Sequence, residues 1–193
     1  YYLAEDGSFE KLPVIYDAAT GKATFKTTHF STFVITHEYS SDFSDVNLRK
    51  WFYNEVNTAL ENGWFKGLTA TRFGPDDGMT RAMLVAVLYR MAGSPAVTGT
   101  PAFTDVAPNA YYASAVIWAN ANDVAIGYGN GVFGVNDHIT REQMASMLQR
   151  YARLQGVDVS TRANLASFTD EAAVSAWARD AMSWAVAQGL IYG

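Results

Sequence analysis

Cysteine is absent from the 193 residues, so neither disulfides nor thiol chemistry are available to the chain. That absence is compatible with export and fixes no compartment. Hydrophobic runs are short: no window approaches eighteen consecutive apolar residues, and no membrane insertion is expected. Positive charge is scarce, with 14 Lys and Arg against 19 Asp and Glu and a net charge of −5. A broad basic surface that would hold nucleic acid or anionic lipid through counterion release is thereby excluded. Any acidic ligand must be held by a few placed cations. The three histidines, His29, His37 and His138, form no triad and no metal-ligand spacing, so neither a metal nor a cofactor is expected. No leader is visible, because Tyr1 opens directly into a polar, acidic segment; the start reads as a cut through a longer chain.

What the chain does have is an internal repeat. Laying residues 43–93 over 103–153 without a gap gives fifteen identities, where chance would give about three at ordinary residue usage. Phe43/Phe103, Asp45/Asp105, Gly67/Gly127, Phe73/Phe133, Thr80/Thr140 and Arg81/Arg141 are among them. A third copy spans 168–193: Phe168, Trp177, Trp184 and Gly193 fall where Phe103, Tyr111, Trp118 and Gly127 fall, with one residue inserted. It holds only the first half of the repeat.

Residues 1–39 have a different texture. The alternation in Ala23-Phe25-Thr27 and Phe33-Ile35, with a turn signal at Thr20-Gly21-Lys22, predicts strands. Two or three strands cannot bury a core alone, so the segment reads as the C-terminal end of a larger β domain. Residues 38–42 form a short polar linker.

Each repeat follows one plan. Asp45, Asp105 and Asp170 sit in an FxD turn, where a carboxylate can bond neighbouring backbone N–H groups or cap the coming helix. Tyr111, Ala115 and Trp118 lie at i, i+4 and i+7 on one helical face, and Trp177, Ala181 and Trp184 copy that spacing; Trp51 stands in the same register of the first repeat. A glycine-rich loop follows, with Gly127, Gly129 and Gly131. Its N–H groups can cradle an anion, or it can be a tight turn between two helices. Thr140 then caps a second helix, with Gln143 completing a capping box. Thr80 caps likewise, but Met83 replaces the Gln and no reciprocal bond is expected. Apolar stripes run through Leu84, Val87, Leu88 and Met91, and through Met144, Met147, Leu148 and Tyr151. Helix–loop–helix units of about fifty residues cannot bury their faces alone and must pack on one another.

The ordered set FTDV, an aromatic eight residues on, GYGNGVF and ITREQ resembles the S-layer homology repeat. Residues 43–93 and 103–153 are two full copies and 168–193 the first half of a third. The resemblance implies a mainly α, pseudo-threefold bundle of helix–loop–helix repeats, here preceded by a short β segment of a kind that often precedes such repeats. It also implies a secreted module at the bacterial cell surface that binds a secondary cell-wall polysaccharide, often pyruvylated, in grooves between repeats. Carried over by motif position, the binding residues are Arg81 and Arg141; Trp51, Tyr111 and Trp177; and backbone of Gly127, Gly129 and Gly131. Asp45, Asp105, Asp170, Thr80 and Thr140 are the structural positions. Departures from the pattern are GLTATRF at 67–73, which lacks two of the glycines, so that the loop is expected to cradle nothing, and Met83 or Gln143 where the family has Glu.

A guanidinium in a first helical turn can take a carboxylate through parallel hydrogen bonds, and a nearby aromatic can pack on a sugar face. The same arginines can instead form surface salt bridges or bond carbonyls of the adjacent repeat. Two other functions compete with an anchor: a protein–protein assembly module using the same grooves, and a glycosidase built on Asp76/Asp77 or Asp105/Glu142. Adjacent acids beside glycine read as turn chemistry, and no enzyme is expected. The third repeat should leave packing surface open, which predicts self-association or a mobile C-terminus.

Overall fold

The computed structural model describes every residue except 1, 5, 11, 18, 19, 21, 29–31, 34–42, 48 and 193. The chain divides into two units, residues 1–41 and 42–193.

The first unit is a pair of small antiparallel ribbons. β1 (Tyr2–Leu3) pairs with β2 (Phe9–Glu10), and β3 (Val14–Asp17) with β4 (Lys22–Phe25), placing Val14 opposite Phe25 and Asp17 opposite Lys22. Asp6 closes the first turn by accepting from Ser8 N at 2.8 Å, and Gly7 there takes φ 81°. Phe33 bridges to Tyr2 and packs on Phe25 with ring centroids 5.0 Å apart. Val14 and Ile15 stay exposed, as expected of ribbons too small to enclose a core. The expected strand beyond Phe33, His29, His37 and the 38–42 linker lie outside the described residues.

The second unit is helical: α1 (Tyr53–Glu61), α2 (Arg81–Met91), α3 (Ala113–Ala121), α4 (Arg141–Leu154) and α5 (Arg179–Ala187), with 3₁₀ turns at Leu165–Ser167 and Glu171–Ala173. The described chain is therefore mainly helical with a small strand content. Both second helices start at their threonines. Thr80 and Thr140 accept from the N–H groups of Met83 and Gln143, each at 3.2 Å. The reciprocal bond denied to Met83 is present, since its sulfur accepts from Thr80 N at 3.5 Å. A thioether is a weak acceptor, but its reach matches that of the amide it replaces.

Helices pair across repeats. α2 packs on α3 and α4 on α5, so each second helix joins the first helix of the following repeat. Val85, Leu88, Val116, Ala119, Phe133 and Met147 form the centre of the larger core, where Trp118 stands between Tyr89 at 5.7 Å and Tyr151 at 6.3 Å. Ala145, Ala181, Met182, Trp184 and Ile191 form the next core along. This interlocking buries the apolar faces of one repeat against the next. The N-terminal ends of α2 and α4 are also tied together: Arg81 N donates to Asp137 O at 3.0 Å and Ile139 N to Met79 O at 2.9 Å.

Two stripe expectations change. α2 buries Leu84, Val85, Ala86, Val87 and Leu88 in succession, whereas Met91 is exposed, because the helix is covered on more than one side and its C-terminal turn projects past the core. α1, α3 and α5 begin two residues after Trp51, Tyr111 and Trp177. These aromatics therefore precede the helices, while Ala115, Trp118, Ala181 and Trp184 form the buried faces.

Candidate inter-repeat binding grooves

The Asp45 and Asp105 carboxylates cap no helix; they clamp the loop 28 to 30 residues downstream. Asp45 accepts from Phe73 N at 2.9 Å and Gly74 N at 2.7 Å. Asp105 accepts from Phe133 N at 2.7 Å, Gly134 N at 2.8 Å and Val135 N at 3.1 Å. The Phe73 N–H holds the Asp45 carboxyl below the ordinary carboxylate range. Burial pushes Asp105 up, and its backbone donors outweigh burial, so it too lies low. The loop that could cradle an anion thus already holds one internally. GLTATRF does the same despite its missing glycines, contrary to expectation, because Ser44 N anchors Thr71 O at 2.9 Å just as Thr104 N anchors Gly131 O at 2.9 Å.

The loop glycines divide by function. Gly127 permits close approach, since a Cβ there would lie 2.4 Å from the Phe103 ring. Gly129 and Gly131 instead supply positive φ, 85° and 79°, with open space around them. Among the described residues, no acceptor meets the N–H groups of Gly129, Asn130 or Gly131.

The two motif arginines have opposite environments. Arg81 is in the seam between the first two repeats but only 3% exposed. Its Nε donates to Phe133 O and its Nη2 to Ile126 O, both at 2.9 Å, and its Cζ lies 4.7 Å and 4.9 Å from the Tyr128 and Phe133 ring centroids. Burial lowers its pKa, with Tyr128, Asp137 and Asp105 opposing that shift. The carbonyl-bonding alternative describes Arg81 as it stands, and its guanidinium is turned inward. Arg141, by contrast, is exposed and donates through Nη2 to Tyr192 O.

The aromatics after FxD are exposed in all three repeats: Trp51 86%, Tyr111 65% and Trp177 61%. Tyr111 borders a groove of about 510 Å³ along α2. One wall is Phe65, Lys66 and Leu68 of the first-repeat loop, the other is Tyr111, and Met83, Ala86, Val87 and Arg90 line the floor. Those four floor residues stand at i, i+3, i+4 and i+7, one helical face. Sequence reasoning brought neither Lys66 nor Arg90 to a binding site. The floor spacing could have shown that Arg90 shares a face with Met83, but not that this face borders a groove.

A second cleft, about 550 Å³, lies beside Arg141 and the third repeat. Phe168, Asp170, Glu142 and Glu171 line it. Among the described residues the Asp170 carboxylate receives no hydrogen bond, unlike Asp45 and Asp105. Three of the four acids considered for catalysis are engaged elsewhere: Asp77 pairs with Arg72 at 2.8 Å, Asp105 clamps its loop and Glu142 accepts from Ser175 N at 2.6 Å.

The S-layer homology domain matches at residues 42–82, 102–145 and 167–193, in step with the three repeats. The chain is 28% identical over its whole length to an Amylopullulanase of Thermoanaerobacterium thermosulfurigenes, covering 10% of that protein. It is 31% identical over 78% of its length to an Endoglucanase of Bacillus sp. (strain KSM-635), covering 16%. With the Surface-layer 125 kDa protein of Lysinibacillus sphaericus it shares 26% identity over 86% of its length, covering 14%. The chain thus spans a small part of each of these relatives. No helix among the described residues is long and apolar enough to cross a membrane. Repeats matched in register, interlocked helix by helix, make the chain a member of the S-layer homology family, whose domains anchor S-layer proteins and surface enzymes at the cell surface.

Proposed function

We propose that this chain is a non-catalytic anchor that holds an anionic secondary cell-wall polysaccharide, pyruvylated at its acidic sugars, in grooves between repeats arranged with pseudo-threefold symmetry. The observation that carries the reading is the threefold recurrence of an exposed aromatic at one point of the repeat, Trp51, Tyr111 and Trp177. An indole or phenol held open to water offers a flat apolar face to a sugar ring while its edge stays solvated. Arg141 supplies an exposed positive fork beside the third repeat, and the N–H groups of Gly129 and Gly131 supply uncharged donors. Arg81 enters as the residue that fixes the seam; to touch a ligand it must first release two carbonyls.

Cosedimentation with purified bacterial walls tests this reading. Retention of the protein by intact walls, and its loss after the secondary polymer is stripped, is the expected result; equal retention by stripped walls would defeat it. A second reading, assembly with another protein or another copy, is favoured by one observation. Phe168 and Asp170 border an open cleft, whereas Phe103 and Asp105 are covered by a loop. Sedimentation equilibrium giving a dimer, with binding that survives loss of the polymer, would favour it.

A further inference from the structure

Charge separates the two clefts. The cleft beside Arg141 carries three carboxylates, Glu142, Asp170 and Glu171, against one cation, and with Glu171 paired to Arg179 at 2.7 Å two carboxylates still face Arg141. The groove along α2 carries two cations, Lys66 and Arg90, against one carboxylate, Asp77, and Asp77 is already paired with Arg72 at 2.8 Å. In a protein of net charge −5, a cleft with unneutralised positive charge is the place where an anion gains most.

We infer that the acidic group of the polymer is held in the α2 groove by Lys66 and Arg90, against the ring of Tyr111, and that this groove is the dominant site. The inference rests on the anchoring function proposed above. Lys66 is exposed and has no hydrogen-bond or ion-pair partner among the described residues. Arg90 is half-buried, and its Nη1 is fixed by Trp64 O at 2.9 Å, which holds the side chain at the groove while other N–H donors remain. Arg90 and Tyr111 are near enough for the guanidinium to oppose the upward shift that burial imposes on the phenol. Between them, half-buried Met83, backed by the buried Ala86 and Val87, suits the carbon skeleton of a sugar or of a ketal methyl group. The equivalent of Lys66 in the second repeat is Ile126, so the same cation pair is not repeated at the next seam.

The test is retention by polymer-bearing walls of the wild type, Lys66→Ala, Arg90→Gln and Arg141→Ala, at low and moderate salt, with thermal melting as the control for folding. Lys66→Ala should weaken binding about tenfold and flatten its salt dependence, because one charge-assisted contact is removed. Its melting temperature should not move, since Lys66 holds nothing else. Arg90→Gln keeps an N–H donor for the Trp64 carbonyl and should also lose affinity, whereas Arg141→Ala should lose less than either. If wild-type retention is intact and neither Lys66→Ala nor Arg90→Gln lowers it, the inference is overturned while anchoring stands. If the wild type is not retained at all, anchoring fails and the inference falls with it.

Discussion

At the scale of single residues, equal letters have unequal surroundings. Arg81 and Arg141 open α2 and α4 from the same Thr-Arg pair, yet one is enclosed by two carbonyls and two rings and the other is exposed. Arg81→Ala should therefore cost about 2–3 kcal/mol, because two buried carbonyls lose their donor. Arg141→Ala should stay within about 0.5 kcal/mol. Urea unfolding of both variants would check the pair, and equal losses would contradict the assigned environments. The FxD carboxylates form a similar series. Asp45→Ala and Asp105→Ala each strand backbone donors, at about 1–3 kcal/mol for a buried group left unsatisfied. Asp105, with three donors to Asp45's two, should cost the more. Asp170→Ala should be nearly silent. The motif marked all three aspartates as structural, but the partners of Asp45 and Asp105 lie 28 to 30 residues away and could not be read from local turn chemistry.

At the scale of elements, the second helices were legible because their signals are local. A Thr at the N-cap and apolar residues every three to four positions act within one or two turns, and α2 and α4 start where those signals put them. Thr140→Ala should lower stability by about 1 kcal/mol, measured by thermal melting. The first helices were harder, since an i, i+4, i+7 pattern that includes Tyr111 fits a longer helix equally well. Ala113 N bonds Ala110 O in a preceding turn, the helix begins at Ala113, and Tyr111 is left in water. In the loop, Gly127→Ala should be more damaging than Gly131→Ala. The first drives a methyl group to 2.4 Å from Phe103, while the second meets only the backbone strain of φ 79°, about 1 kcal/mol. Reversal of that order in a melting experiment would show that the ring, and not the dihedral, yields.

At the scale of the whole molecule, acid should act through the loop clamps. Asp45 and Asp105 have folded pKa values below the unfolded carboxylate value of about 3.9. Their contribution is complete above that value and is lost as the pH falls through the lowered folded values. The urea midpoint should be level near neutrality and fall below about pH 4, with a shallower fall in Asp105→Asn; an unchanged acid limb in that variant would refute the clamp as its source. The sequence by itself determined the repeat, the second helices and their threonine caps, because periodicity and capping are settled by residues within a few positions of one another. Only the tertiary structure decided which arginine turns inward, which loop closes on which carboxylate, and that Lys66 and Arg90 border one groove. Those outcomes depend on residues 24 to 52 positions apart meeting across a packed seam, where burial and the neighbour supplied by the next repeat override the local motif.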